Sequence, residues 1–176
     1  MTTLAAWVVL AVVVLWLAWR IVGLKTPMPR PGQAAPDFEL PDQRGVLRSS
    51  SEFRGRWLAL YFYPRDDTPG CTREAACFRD ANDELAERGI AVCGVSVDDA
   101  PTHAKFAAKH ALPFTLLADT QGTVAARYGS LLDLGFVRLA RRNTFVIDPA
   151  GRIAAVHAGV TPAESAERVL RDVAQA

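Results

Sequence analysis

Cysteine is scarce in this chain, and neither sign of charge dominates it. The 176 residues include three cysteines, too few for a disulfide scaffold, and the odd number indicates at least one free thiol. Twenty basic and nineteen acidic residues leave a net charge of +1, so nucleic-acid binding has no electrostatic support. No Cys-x-x-Cys pair occurs, which argues against a dithiol–disulfide oxidoreductase.

Charge is almost absent from a long apolar segment near the N-terminus. Leu4–Trp19 contains no charged residue, and Arg20 is the single charge before Leu24. About 20 apolar residues in a helix cross the ~30 Å hydrocarbon core of a bilayer. Met1–Thr3 lacks a basic side chain and no Ala-x-Ala site follows, which argues against a cleaved signal peptide. We predict one transmembrane anchor over residues 1–24, rather than a buried core helix.

The charges that flank this segment predict its orientation. Arg20, Lys25 and Arg30 follow the apolar run, and no basic side chain precedes it. The positive-inside rule then predicts a single-pass protein of the cell membrane with its soluble domain in the cytoplasm. Residues 25–36 contain four prolines and predict a stiff linker. Residues 37–176 have the length of one ordinary domain.

Strand and helix signals alternate through this soluble domain. The clearest signals are a buried strand at Trp57–Tyr63, a helix over Cys71–Arg88, a second buried strand at Ile90–Val97, a hairpin around Asp148–Gly151 and a capping box at Thr161–Glu164 that opens the last helix. This order is typical of an α/β or α+β sandwich with a mixed central sheet, and we predict the α/β class.

Cys71 stands where the first of these strands gives way to a helix, after the turn Thr68-Pro69-Gly70. The first turn of a helix presents unpaired N–H groups and a partial positive charge, which favour a nucleophilic thiolate. Active sites also tend to lie at the carboxyl ends of strands in such sheets. By itself the position is weak evidence, because a cysteine at such a junction is more often packed in the core.

The residues around Cys71 carry a more specific signal. Pro64, Thr68 and Cys71 form Pro-x-x-x-Thr-x-x-Cys, followed by Glu74, and this resembles the active-site motif of peroxiredoxins. FYP and TPGCTREA are similar to the Q-type, or bacterioferritin-comigratory, branch. The resemblance continues through APDFELPDQRG, VSVDDAPTHAKFAAKH, LPFTLLADTQGTVAARYG and RNTFVIDPAGRI, from about Gln33 to the C-terminus. It implies a thioredoxin-like peroxiredoxin fold.

The resemblance also implies an activity and a set of roles. The chain would be a thiol-dependent peroxidase for hydrogen peroxide and organic hydroperoxides, with Cys71 oxidised to a sulfenic acid. Thr68 would meet the thiolate and the peroxide with its hydroxyl, Pro64 would shield the thiolate from water, and Arg142 would steady the developing charge. A thioredoxin-type dithiol would restore the enzyme. No metal, flavin or haem is implied, and members of this branch are often monomers.

The chain departs from the branch at the resolving cysteine. Many members have a second cysteine five residues after the first, where this chain has Ala76, and Cys77 follows one position later. A bond from Cys71 to Cys77 would need the helix to open, because residues six apart exceed the reach of a disulfide. Cys77 either resolves the sulfenate after local unfolding or is an ordinary helix residue, in which case an external thiol reduces the sulfenate.

Two other functions remain open, and three further residues carry predictions of their own. A membrane-anchored copper-delivery module on a similar fold would use Cys71, Cys77 and His157, and a redox-sensing module would share the first chemical step. Glu74 fits either a family position or an ordinary acid in the first turn of a helix. His103 falls on a helix with Lys105, which predicts a solvated face, and Cys93 is expected to pack inside a strand.

Overall fold

The structure of the protein, a computed structural model, describes residues 26–176 together with Trp7 and Val12. The predicted transmembrane anchor over residues 1–24 lies outside the described residues, apart from those two positions. Within the described part of the chain, no helix is long and apolar enough to cross a membrane.

Residues 26–176 form nine strands and five α-helices. The strands are β1 (Glu39–Pro41), β2 (Leu47–Ser49), β3 (Trp57–Phe62), β4 (Ile90–Ser96), β5 (Thr115–Ala118), β6 (Leu131–Asp133), β7 (Arg138–Ala140), β8 (Asn143–Ile147) and β9 (Ile153–Ala158). The helices are α1 (Pro69–Asp80), α2 (Asn82–Glu87), α3 (Ala100–His110), α4 (Thr123–Arg127) and α5 (Ser165–Ala174). Short 3-10 helices occur at Ser50–Phe53 and Pro162–Glu164.

A five-stranded mixed sheet with the order β5-β4-β3-β8-β9 forms the centre of the domain. Strands β3, β4 and β5 are parallel, whereas β8 runs antiparallel to β3 and β9 runs antiparallel to β8. Strand β3 is buried on both faces because its side chains alternate between two cores. Ala59 and Tyr61 pack with α1, α3 and α5, while Leu60 and Phe62 pack with α4 and β8. The mixed sheet confirms the predicted α/β arrangement.

The register of β3 and β8 determines which segments share one end of the sheet. Phe62, the last residue of β3, pairs with Asn143, the first residue of β8. The loop after β3 therefore lies beside the segment just before β8. We call this end of the sheet the Cys71 end, since it brings Cys71 and Arg142 together although they are 71 residues apart.

Three local predictions meet different outcomes. The hairpin is confirmed, because β8 and β9 pair antiparallel on either side of the turn at Asp148–Gly151. The helix predicted over Cys71–Arg88 is interrupted at Ala81 and forms α1 and α2 instead. The capping box at Thr161 is wrong, since its side chain makes no capping hydrogen bond and a 3-10 helix precedes α5. The hairpin of β6 and β7 has no counterpart in the predictions.

The segment predicted as a linker makes hydrogen bonds to the rest of the domain at its C-terminal end. Gly32 N–H donates to the carbonyl oxygen of Ile153 at 2.8 Å, and Ala35 N–H donates to that of Gly151 at 3.0 Å. The Tyr128 hydroxyl donates to the Pro36 carbonyl oxygen at 2.8 Å. These bonds fix residues 32–36 against strand β9, the turn before it and Tyr128.

Candidate active site

Cys71 is the third residue of α1 and is buried, with 1% of its surface exposed. The helix starts here because Pro69 has a backbone suited to the first turn and lacks the N–H that would be unpaired there. Thr68 occupies the N-cap position in an extended conformation, but its side chain makes no capping bond. Cys71 therefore sits among the free N–H groups of a helix start, which favour an anion.

Arg142 supplies the positive charge beside this sulfur. Its Nη2 donates a hydrogen bond to Cys71 Sγ at 3.3 Å, and its Nη1 pairs with a carboxylate oxygen of Glu74. One guanidinium thus bridges the thiol and a buried acid, which only the planar fork of arginine allows. Gly70 makes room for it, because a Cβ there would lie 3.1 Å from Arg142 Nη2.

Glu74 is fully buried beneath Arg142. Its second carboxylate oxygen accepts a hydrogen bond from the Ser165 hydroxyl at 3.0 Å. Burial raises the pKa of Glu74 to about 7, although Arg142 and the Ser165 hydroxyl both act to lower it. Burial also acts to lower the pKa of Arg142, but the charges of Glu74 and Cys71 outweigh it and the net shift is upward. Glu74 therefore fixes the guanidinium in position rather than serving as a surface acid of the helix.

Thr68 and Pro64 border the site on the same loop. Pro64 is half-buried and lies two residues after Phe62, where β3 ends. The Thr68 hydroxyl donates to the Arg65 carbonyl oxygen at 3.1 Å, so its single proton is directed at the backbone of the loop. Its lone pairs could accept the proton of an incoming hydroperoxide, whereas donation to the Cys71 thiolate would require the hydroxyl to turn.

A buried polar cluster of Tyr63, Asp66 and His103 holds this loop in place. Asp66 accepts hydrogen bonds from the Tyr63 hydroxyl and from His103 Nδ1, both at 2.7 Å. His103 Nε2 faces the Leu117 carbonyl oxygen at 3.2 Å. The ring of His103 is therefore held between the Asp66 carboxylate and the backbone of β5. The predicted solvated face is wrong at His103, which is fully buried and holds the loop through Asp66.

The other two cysteines lie in different surroundings. Cys77 is half-buried on α1, and its thiol donates to the Ala163 carbonyl oxygen at 3.3 Å. It therefore faces the segment before α5 rather than Cys71. Cys93 lies in the middle of β4 with no exposed surface, and burial raises its pKa to about 12. All three cysteines of the described chain are free thiols.

The structure brings some predicted residues together and adds others. Cys71, Arg142 and Glu74 are in contact, and Thr68 and Pro64 lie on the adjoining loop. The positions of Ser165 and His103 carry no signal in the sequence, because their partners are 91 and 37 residues away.

The ligand set expected for copper does not assemble. His157 Nε2 pairs with the carboxylate of Asp172, and the Cys77 thiol donates a hydrogen bond to the Ala163 carbonyl oxygen. Among the residues that the structure describes, no group of three or more His, Cys, Asp and Glu side chains could hold a metal ion. The geometry favours thiol chemistry over copper delivery.

Comparison with known proteins agrees with this geometry. The model of the AhpC/TSA family matches residues 31–156. The chain belongs to the AhpC/TSA family. It is 44% identical over 129 residues to a putative peroxiredoxin bcp of Coxiella burnetii, which covers 71% of this chain and 85% of that protein. It is 47% identical over 120 residues to chloroplastic peroxiredoxin Q of Oryza sativa subsp. japonica, covering 68% of this chain but 55% of the rice protein.

Solved structures place the chain in the same family. The crystal structure of peroxidoxin BcpB from Mycobacterium tuberculosis superposes with a TM-score of 0.80 at 37% identity, covering 84% of this chain and 97% of that one. These matches confirm the thioredoxin-like fold and the Q-type, or bacterioferritin-comigratory, branch of peroxiredoxins. The protein is therefore a thiol-dependent peroxidase, for which the family implies a hydroperoxide substrate and a thioredoxin-type reductant.

Proposed function

We propose that Cys71 is the peroxidatic cysteine and that Arg142 and Thr68 assist it. The observation that carries this assignment is the 3.3 Å hydrogen bond from Arg142 to Cys71 Sγ at the start of a helix. Arg142 and the helix N-terminus both stabilise a thiolate. Pro64, at the start of the loop, shields the thiolate from water.

The reaction follows from this arrangement. The Cys71 thiolate attacks the terminal oxygen of the hydroperoxide, so that an S–O bond forms while the O–O bond breaks. The sulfur is oxidised to a sulfenic acid, and the peroxide leaves as an alcohol, or as water from hydrogen peroxide, after it takes up a proton. Negative charge moves from sulfur to the leaving oxygen, and the fixed guanidinium of Arg142 stabilises both ends of that path.

Return to the thiolate takes one of two routes. In the first, Cys77 attacks the sulfenic acid, water leaves, and a disulfide forms that a dithiol protein then reduces. Six residues along α1 correspond to a rise of about 9 Å, beyond the ~7 Å that a disulfide allows between Cα atoms. This route therefore requires α1 to unwind and the Cys77–Ala163 hydrogen bond to break. In the second route, an external thiol reduces the sulfenic acid directly.

The mass of the reduced full-length chain after one equivalent of hydrogen peroxide separates the two routes. Loss of two hydrogens would show an internal disulfide, and repeating the experiment with Cys77→Ser would identify the partner. Gain of one oxygen would show a sulfenic acid that awaits an outside thiol. Both changes should disappear in Cys71→Ser, and a change that persists there would refute the assignment of Cys71.

We also propose that the apolar run of residues 4–24 anchors the enzyme in the cell membrane as a single pass, with the catalytic domain in the cytoplasm. The length of the run and the basic residues that follow it support this proposal. Hydroperoxides of membrane lipids would then be nearby substrates, and the domain would act as a monomer. Extraction of membranes with alkaline carbonate tests the anchor, since an anchored chain stays in the pellet and a released chain contradicts it.

A further inference from the structure

The hairpin of β6 and β7 ends in an apolar turn that is exposed to solvent. We call residues 134–137 the hairpin tip, and its exposed apolar side chains are Leu134 (52% exposed), Phe136 (87%) and Val137 (37%). The turn closes when Leu134 N–H donates to the Val137 carbonyl oxygen at 3.0 Å, and Gly135 has the positive φ of 85° that such a turn favours. A fixed, exposed apolar patch of this kind marks an interaction surface.

The base of this hairpin lies at the Cys71 end of the sheet. Ser130, just before β6, accepts a hydrogen bond from Arg141 N–H at 2.6 Å and another from the Asn143 side-chain amide at 2.9 Å. Asn143 pairs with Phe62, the residue at which β3 ends. The hairpin therefore starts beside Arg142, at the end of the sheet that carries Cys71.

The N-terminal segment enters the domain next to the same hairpin. A Cβ at Gly129 would lie 2.7 Å from Met28 N and 2.8 Å from the Thr26 carbonyl oxygen, so the backbone of residues 26–28 passes directly over Gly129. Gly129 precedes Ser130, where the base of the hairpin begins. The apolar run that ends at Leu24 is thus only a few residues from this contact.

The exposed charges in this region are mainly basic. Four exposed arginines lie within two residues of the hairpin or of the Met28–Gly129 contact: Arg30, Arg127, Arg138 and Arg141. The acid of the hairpin, Asp133, accepts hydrogen bonds from Gly135 N–H and from Arg138. An apolar tip with arginines around it matches an anionic lipid surface, where apolar side chains enter the acyl boundary and guanidinium groups meet phosphates.

We propose that the hairpin tip inserts into the surface of the same bilayer that residues 4–24 cross. The inference rests on the proposed anchor, which would hold the entry point at Thr26 close to the headgroups. Phe136 and Leu134 would enter the interface, and the neighbouring arginines would contact lipid phosphates. The Cys71 end of the sheet then faces the membrane, and a hydroperoxide group on an acyl chain reaches Cys71 from the lipid side.

Tryptophan substitution tests this contact in the full-length chain. The protein is reconstituted in vesicles of phosphatidylcholine and phosphatidylglycerol whose acyl chains carry bromine, a quencher of tryptophan emission. Phe136→Trp is compared with Val46→Trp, which places the same reporter in another exposed apolar position, in the turn between β1 and β2. The signal of the parent chain, with its own tryptophans, is subtracted from both.

Insertion predicts bromine quenching of the Phe136→Trp reporter and little quenching of the Val46→Trp reporter. If the parent chain does not stay with the vesicles at all, the anchor itself is wrong. If it stays but the Phe136→Trp reporter is not quenched, the anchor stands and the hairpin contact is wrong. A reporter that is shielded without bromine quenching, and only at high protein density, would overturn the proposal in favour of a second copy of the chain.

Activity provides an independent readout. Phe136→Ser should reduce the rate with lipid hydroperoxides embedded in vesicles by about threefold to tenfold, as expected when one large apolar side chain leaves the interface. The rate with hydrogen peroxide should stay unchanged, because Phe136 does not touch the reacting atoms. Leu47→Ser, at another exposed apolar residue, should leave both rates unchanged. Equal loss on both substrates for Phe136→Ser would refute the lipid contact.

Discussion

Cys71 and Cys93 are almost equally hidden from solvent, with 1% and 0% of their surfaces exposed, yet their surroundings differ sharply. Cys93 lies mid-strand in β4, where burial raises its pKa to about 12 and keeps it a neutral thiol. Cys71 lies at the start of α1 with a guanidinium nitrogen 3.3 Å from its sulfur. Nearby charge and helix direction, rather than exposure, would therefore distinguish the proposed peroxidatic thiol of Cys71 from the thiol of Cys93.

The largest effect on peroxidase activity is expected when the two cysteines are replaced one at a time. Cys71→Ser should reduce peroxidase activity on the order of a thousandfold or more, as for loss of other catalytic nucleophiles. Cys93→Ala should retain nearly the wild-type rate, with a modest loss of stability from the small cavity. Steady-state peroxide consumption measures both variants. Comparable losses in the two would remove the distinction between them.

Removal of the Arg142 guanidinium should make the Cys71 thiol less reactive, and so more like that of Cys93. Arg142→Met is expected to reduce kcat/KM by about a hundredfold to a thousandfold, the usual effect of losing one fixed group that stabilises developing charge. The control is Arg141→Met, since this neighbour is exposed and the hydrogen bond to the sulfur comes from Arg142. If both variants lost activity equally, general positive charge rather than the specific hydrogen bond would be responsible.

The buried acid under Arg142 should appear in the pH dependence of stability. The pKa of Glu74 is raised from 4.5 to about 7 in the folded state, so the folded protein binds the proton more tightly than the unfolded chain. This contribution is fully present below pH 4.5 and is lost as pH rises through about 7, a decrease of up to about 3 kcal/mol in unfolding free energy.

Urea unfolding of Glu74→Gln across this pH range tests whether the Glu74 contribution to the unfolding free energy decreases as pH rises. The variant should lose the Glu74 component and show a flatter pH profile than the wild type. Glu84→Gln, at an exposed acid paired with Arg88, should follow the wild-type profile. An unfolding free energy that rises with pH in the wild type relative to Glu74→Gln would contradict the raised pKa.

A smaller effect is expected from crowding the guanidinium. In Gly70→Ala the new methyl group would lie 3.1 Å from Arg142 Nη2, so the side chain must shift by a few tenths of an ångström. We expect kcat/KM to fall by about threefold to tenfold, because a misplacement of 1 Å can cost about a hundredfold. Thermal unfolding should change little. An unchanged rate would mean that Arg142 tolerates displacement.

The sequence was informative where structure depends on neighbours in the chain. The strand that ends before Pro64 and the helix start near Cys71 follow from a continuous apolar run, a turn rich in proline and glycine, and helical spacing. The prediction failed at Ala81, where no proline or glycine marks the break between α1 and α2. At Thr161, the 3-10 helix that precedes α5 replaced the expected cap.

Side chains that act over long distances in the chain could not be derived from local pattern. Arg142 reaches Cys71 only because β8 pairs with β3, and the sequence suggested its role only through resemblance to a family. Glu74 looks like an ordinary acid of a first helical turn until Ser165 and Arg142 enclose it. His103 has lysine neighbours typical of a surface, while its partner Asp66 lies on a loop that only the fold brings near.

The break at Ala81 also sets a limit on how far a disturbance at Cys71 can spread. On one side of α1, the loop is held by the contact between Asp66 and His103, and on the other side α2 begins as a separate helix. A segment bounded in this way can open as one cooperative unit while the sheet stays intact. The oxidation state of Cys71 would then be readable in amide hydrogen exchange, as faster exchange confined to residues 69–80 whenever a disulfide holds α1 open.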